Sequence, residues 1–464
     1  MKKNNIRKSF VATAMLLMAT MSYAQSSVSG YFLEGFNQRY QLNPALAPER
    51  SGFMAIPGVS NIQVNAEGSV GMSHFLFESK SKQGMLTTFM SSDVKADEFL
   101  DALPDASQFD VDLNMDILGF GFGNSNWYTM FNVKMRNSEK VSLPKDLFSF
   151  MKSGLTNGEY MIKDVNVTSI TYLEYSLTHS HKIGDNLTIG VALKFLQGAA
   201  YANLNIDEID ARLSDNEWLV RSNGTLKASV PGMKYKLSDE NTFQGLEDKY
   251  TFKMPSSYGF AVDLGAEYDF KDLVKGLKVS ASVSDIGMID WGQTTTFATN
   301  NQEYVRFAGF KEYDVTSKDN DNKELENIGD DFKDMIKLYQ TGTEESKSVE
   351  LDATFRLGAE YETPFAKWLS FGELMTFRTG LNPYFEERTS ICMSPNSWFD
   401  ITGNIGFSTM GSSMGLLVNL HPAGFNFFFA VDRIKADFNP QYIPLKDFGL
   451  NFSMGLNLAF GAKR

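Results

Sequence analysis

The stretch Phe448 to Phe460, FGLNFSMGLNLAF, decides how the rest of the chain reads. Apolar residues occupy every second position (Phe448, Leu450, Phe452, Met454, Leu456, Leu458, Phe460), and Asn451, Ser453, Gly455, Asn457 and Ala459 hold the alternate ones. A period of two is a strand, because successive side chains leave opposite faces of the backbone. At about 3.3 Å per residue it exceeds the ~9–11 residues that a tilted strand needs to cross a hydrocarbon core. A long strand beside the C-terminus, greasy on one face and small or polar on the other, is what closes a transmembrane barrel.

The same alternation recurs upstream. Val111 to Phe122 and Trp127 to Met135 pair across Gly123 to Asn126, and Thr171 to Leu177 turns through Lys182 to Asn186 into Leu187 to Phe195. Tyr258 to Phe270 sets Leu264 and its apolar fellows against Asp263 and Glu267; Leu351 to Tyr361 sets Phe355 and Leu357 against Asp352, Arg356 and Glu360. A soluble sandwich would turn the apolar face to a dry core, whereas a barrel turns it to lipid and the charged face to a wet lumen. Length, the N-terminus and aromatics at strand ends favour the barrel, with about fourteen strands and an even number expected. Lys194, Asp263, Glu267, Asp352, Arg356 and Glu360 are then the candidate lumen-facing charges. Their mixed sign suits either an ion-paired filling or a selective pore.

Long polar connections are expected at Ala199 to Leu226, Pro231 to Met254 and Thr294 to Val349. Phe332, Met335, Ile336 and Tyr339 at i, i+3, i+4 and i+7 predict a short helix in the last, and Pro144 to Lys152 a second.

Lys2, Lys3, Arg7 and Lys8 precede an apolar run from Phe10 to Met21 and the small-residue site Ser22-Tyr23-Ala24, so residues 1–24 read as an export signal cleaved after Ala24. The next segment, 25–57, is rich in turns yet carries Tyr31, Phe32, Leu33, Phe36, Tyr40 and Leu42, too apolar for a solvated tail. It is expected to plug the lumen, with Asn43 and Pro44 as pivot, since Pro44 fixes its own φ and restricts Asn43. Residues 58–464 would form the barrel. Mean hydropathy of −0.23 fits such a wall, whose apolar residues are diluted by alternation. A net charge of −13 argues against nucleic acid, which requires a basic stripe.

Chemistry is sparsely signalled. The four histidines are scattered; His179 and His181 share a strand face, but an unliganded rim position is the better reading. Asp319 to Glu324 resembles a solvated acidic loop more than a calcium loop, and the lone Cys392 has no His near it in sequence. No catalytic residue, metal site or cofactor is expected.

Asn43-Pro44-Ala45, Pro255 to Gly259, Ser284-Asp285-Ile286-Gly287 with Trp291, Arg356 to Tyr361 and the closing Asp447 to Gly461 resemble, in this order, the Bacteroidota outer-membrane proteins called domain of unknown function 5723. More distantly, the early Asn-Pro-Ala is similar to the hatch of FadL-type fatty-acid channels, barrels of about fourteen strands with an N-terminal plug. The chain departs from many barrels in ending on Gly461-Ala462-Lys463-Arg464 rather than an aromatic. The resemblance implies an outer-membrane barrel surrounded by lipid and, by analogy, a plugged channel for small hydrophobic solutes. The alternative is a structural or docking barrel for a surface or secretion partner. An enzyme is not expected.

Overall fold

The computed structural model describes residues 27–71, 74–80, 86–89, 91, 93–153, 158–214, 218–239, 241–247, 253, 256–299, 303–307, 337–434 and 448–464. Fourteen wall positions close into a ring. In chain order they are β1 (Arg50–Ala55, resuming as Ile62–Gly68), β2 (Ala106–Gly123), β3 (Trp127–Pro144), β4 (Gly158–Ile183), β5 (Leu187–Leu213), β6 (Ser257–Asp269) and β7 (Leu277–Thr299). The second half comprises β8 (Thr354–Glu362), β9 (Leu369–Arg378), β10 (Tyr384–Asn396), β11 (Phe399–Ser408), β12 (Gly411–Leu420), β13 (Asn426–Ile434) and β14 (Phe448–Lys463). Each pairs antiparallel with its chain neighbours, and β1 lies between β14 and β2, which shuts the ring.

Burial along the strands is inverted relative to a soluble sandwich. Leu264 is 49% exposed and Phe260 69%, while Asp263 is 4% exposed and Arg388 fully buried. On β14, Asn451, Ser453 and Asn457 are buried, whereas Met454 and Phe460 are exposed. Apolar side chains outside and paired polar ones inside define a transmembrane barrel of the outer-membrane type. Tyr268, Tyr361, Trp368 and Trp398, all substantially exposed, stand near one rim as an aromatic girdle. That rim also carries most of the short turns, the entry into β1 and the C-terminus, where Lys463 pairs with Glu49 and Arg464 donates to the carbonyl of Pro48.

Three expectations change. The wall begins at Arg50 rather than after residue 57, because Arg50 to Ala55 finds partners in Asn457 to Lys463. Ala199 to Leu226 is sheet rather than loop: β5 runs on to Leu213 and Trp218–Ser229 returns along it. Ala211, Leu213 and Val220, packed with Phe150, Tyr160 and Trp218, supply an apolar patch that holds this sheet together outside the bilayer. Likewise β7 continues to Thr299 and Leu338–Glu350 pairs back along it, so Tyr339 lies in a strand; Phe332, Met335, Ile336 and the acidic run Asp319 to Glu324 lie outside the described residues. Residues 1–24 also lie outside them. The connection 231–254 includes a small hairpin, Tyr235–Leu237 with Phe243–Leu246. The second expected helix forms at Lys145–Ser153, with Pro144 closing the preceding strand. A further helix spans Ala96–Asp101.

Candidate functional site

Residues 27–49 run through the lumen as turns and two 3-10 segments, Val28–Gly30 and Arg39–Gln41. Tyr31, Phe32, Leu33, Phe36, Leu42 and Leu46 are buried against inward Leu374, Cys392, Leu417, Phe428 and Ala430. Phe36 meets Phe428 edge-on at 4.9 Å. Polar ties fix the rest. Asp432 accepts the Ser29 N–H at 2.8 Å and the Ser27 hydroxyl at 3.2 Å, and Tyr31 Oη lies 2.9 Å from Ser280 Oγ.

Asn43 and Pro44 sit against a notch in the wall. Gly190 on β5 faces Gly265 on β6 in register. A methyl on Gly265 would overlap Asn43 Oδ1, and one on Gly190 would overlap the backbone of Pro44 and Ala45. Asn43 Oδ1 accepts the Ala45 N–H at 3.0 Å, closing a local turn, and its Nδ2 donates to Tyr31 Oη at 3.2 Å and to the carbonyls of Ala266 and Ala281 at 3.4 Å.

One layer further from the turn rim lies an ion network. Lys194 approaches Asp263 at 2.6 Å and Asp285 at 2.8 Å; Arg136 engages Asp285 at 2.7 Å and Glu174 at 3.0 Å; Lys134 lies 3.5 Å from Glu174. Farther along β3 Lys140 pairs with Asp352, and Arg378 of β9 with Asp110 and, at 3.8 Å, Asp112 of β2. Of the six charges singled out from sequence, Lys194 and Asp263 thus share one network, and Asp352 and Arg356 line the space beside it. Glu267 and Glu360 face the N-terminal segment instead, Glu267 standing 3.9 Å from Arg39. Lys278 donates to Glu34 at 2.6 Å at the turn rim and holds that carboxyl down to about 2.

Asp285, Arg136 and Glu174 are central, yet sequence reasoning passed over them as site residues. Asp285 has φ of 63° at a bulge where Leu264 pairs with Val283 but Val262 pairs with Ile286. The extra residue reverses the inside-outside phase and swings Asp285 inward. The legible signal is the shift of apolar positions from odd (Val279, Ala281, Val283) to even (Ile286, Met288).

Between the network and an apolar layer of Leu196, Tyr201, Ile289 and Trp291 lies a cavity of about 220 Å³. Gln41 of the N-terminal segment, Lys140, Asp352 and Arg356 line it on the polar side, and Ile170, Tyr172, Val349, Leu351 and Leu381 on the apolar side. Next to Gln41 the wall itself is irregular. Ala55 pairs with Asn457 and Ile62 with Met454, so residues 56–61 stand opposite only Gly455 and Leu456. Behind this interruption Gln41 Nε2 donates to Asp116 Oδ2 at 3.1 Å, and Asn61 Nδ2 donates to Gln41 Oε1 at 3.3 Å.

The remaining chemically suggestive residues lie elsewhere. His179 and His181 stack on the exposed face beside Trp127, with Thr129 Oγ1 2.8 Å from His179 Nδ1. Cys392 is buried, its sulfur 3.5 Å from the Thr402 hydroxyl.

The model of the family of unknown function DUF5723 matches residues 44–432, most of this barrel. The chain belongs to that family. No curated protein matches it. Among solved structures, this DUF5723 protein is similar to the Ralstonia pickettii toluene transporter TbuX, with 10% identity over 93% of this chain and 100% of that one and a TM-score of 0.43. It is similar also to the P. putida toluene transporter TodX, with 8% identity over 90% and 93% and a TM-score of 0.43. The translocator domain of autotransporter NalP from Neisseria meningitidis follows with 7% identity, 98% of each chain and a TM-score of 0.35.

Proposed function

We propose that this protein is an outer-membrane channel for small solutes with an apolar body, its lumen closed by residues 27–49 acting as a plug. The observation that carries this reading is the partly open cavity of about 220 Å³ between the plug's Gln41 and the wall, with an apolar ceiling of Tyr172, Val349 and Leu351. A barrel with purely structural filling has no need of a solute-sized space bounded by a removable segment. The short-turn rim with both ends of the barrel faces the periplasm, and residues 1–24 act as the export signal. The proposed way out runs past Gln41, which lines the cavity, to the interrupted stretch 56–61 of β1, where Pro57 and Val59 are exposed.

Purified protein in liposomes, assayed for uptake of a panel of aromatic and short aliphatic solutes, tests the reading. Gln41→Ala removes the amide that spans Asp116 and Asn61 and is expected to raise uptake severalfold. Uptake no greater than through empty liposomes, in both forms, would sink it. The docking alternative has one observation in its favour: β4, β5 and β7 extend 26, 27 and 23 residues, far beyond the ~9–11 that a bilayer requires, so a sheet stands out from the loop rim on one side. Co-purification of a fixed partner that is lost when this sheet is shortened would support it.

A further inference from the structure

The proposed channel leaves open which solutes its cavity accepts, and the pairing of charges around the lumen narrows that choice. On one side the cations Lys134, Arg136 and Lys194 are matched by the carboxylates Glu174, Asp263 and Asp285, all within 4.0 Å of a partner. Farther along β3, Lys140 has Asp352, and Arg378 of β9 has Asp110 and Asp112 of β2. Arg356 differs. It is 8% exposed and lines the cavity, yet among the described residues no carboxylate comes within 4.0 Å of it. Its Nη1 donates to Ser284 Oγ at 3.0 Å and, at 3.5 Å, to the carbonyl of Leu42, and its Nε has no acceptor. A buried cation served by neutral acceptors alone carries an uncompensated desolvation cost, which an arriving anion relieves.

We propose that the cavity is a binding site for a compact organic carboxylate, with the anionic group on Arg356 and the apolar body against Ile170, Tyr172, Val349, Leu351 and Leu381. The planar guanidinium fork suits a carboxylate, and Arg356, a buried cation with no carboxylate within 4.0 Å among the described residues, suits a single negative charge, while the exposed Glu350 lines the same cavity at its rim. At about 220 Å³ the space falls below the ~300–1,000 Å³ of drug-sized pockets, which favours one ring or a short branched chain over an extended one. The proposal rests on the reading of the lumen as a solute path, and it adds a consequence: Arg356 also holds the Leu42 carbonyl, one residue from Asn43, so an anion that recruits the guanidinium weakens a tie between plug and wall.

Calorimetric titration of the full-length protein in detergent with benzoate, and with benzyl alcohol as its neutral counterpart, tests the site. Benzoate is expected to bind at least tenfold more tightly than benzyl alcohol, and Arg356→Gln to abolish that preference by weakening benzoate binding at least tenfold. Equal binding of the two probes by the unaltered protein, or an undiminished preference in Arg356→Gln, overturns the proposal. Should Arg356→Gln fail to give a heat-resistant folded band, Leu381→Trp fills the cavity without touching the guanidinium; it is expected to weaken benzoate binding at least tenfold, and unchanged binding would overturn the site. Liposome uptake separates the two readings. Uptake without any carboxylate preference removes the site and leaves the channel, whereas Arg356-dependent binding without uptake of any solute removes the channel and leaves the site.

Discussion

Replacing Gly265 with Ala places one methyl where the wall and the proposed plug touch. The ideal Cβ overlaps Asn43 Oδ1 and lies 2.9 Å from Pro44 Cδ and 3.0 Å from Asn43 Cγ. The wall cannot yield, because Gly265 is paired with Gly190 on one side and Ser282 on the other. The plug must move instead. Overpacking of this kind costs ~1–3 kcal/mol. If Asn43 withdraws, its bonds to Tyr31, Ala266, Ala281 and Ala45 are strained or lost, each worth ~0.5–1.5 kcal/mol net. A shift of roughly 3 kcal/mol multiplies the ratio of displaced to seated plug by on the order of a hundred, since each 1.4 kcal/mol is about tenfold. Planar-bilayer recordings of Gly265→Ala should therefore show frequent openings where the parent protein is nearly silent, and trypsin should reach the buried Arg39 faster. A folded Gly265→Ala barrel that stays silent and keeps Arg39 protected would refute the idea that this notch seats a movable plug.

Three further outcomes follow from other parts of the molecule. Leu264→Arg puts a cation on the lipid face and should cost ~2–4 kcal/mol near the midplane, read as a lower urea midpoint for the heat-modifiable folded band. Arg388→Ala takes from Glu386 the partner it meets at 2.6 Å, leaving it Arg433 at 3.4 Å, and frees Asn404 and the Asp432 carbonyl; complete loss of a buried partner costs ~3–5 kcal/mol, so a smaller loss is expected here, and a change below ~1 kcal/mol on the same gel would contradict the pairing. Glu34, held down to about 2 by Lys278, is ionised in the folded state wherever the pH exceeds that value, so its tether is fully present above the ordinary carboxylate range and is lost as pH falls through about 2. Pepsin access to residues 27–49 should rise between about pH 4.5 and 2, and Glu34→Gln should show the same access at both ends of that range.

Much of the wall was legible because a barrel writes its pattern twice, once in apolar positions and once in the polar positions between them. Phe448 to Phe460 alone carries its outside and inside faces, and the structure keeps every one of its described alternations. What sequence could not show depends on long-range pairing. Arg50-Ser51-Gly52 has no apolar alternation and becomes wall only because Asn457 to Lys463 lies beside it. Tyr201 to Leu213 mixes Asn, Asp and Arg with scattered apolar residues and reads as loop, yet it pairs along its length with β4 and Trp218–Ser229. Inward charges on β3 and β4 were similarly hidden: Arg136 and Glu174 matter because the bulge at Asp285, on a strand far away in sequence, brings a carboxylate to meet them.

The two sides of the proposed plug are held by different physics. Toward β9, β10, β12 and β13 it buries Phe32, Leu33 and Phe36 among Leu374, Leu417 and Phe428, and each fully buried side chain of this size is worth ~1.5–3 kcal/mol. Toward β5, β6 and β7 it offers Asn43 and Pro44 to a glycine notch, where contacts are neutral hydrogen bonds of 3.0 to 3.4 Å, flanked nearer the turn rim by the ion pairs Lys278–Glu34 and Glu267–Arg39. On the plugged-channel proposal, release is expected to start at Asn43-Pro44, the proposed pivot, while the aromatic side and the rim ion pairs stay seated. A small swing there would carry Gln41, which bonds both Asp116 and Asn61 beside the interrupted β1, and on this proposal is expected to join the cavity to that interruption without emptying the barrel.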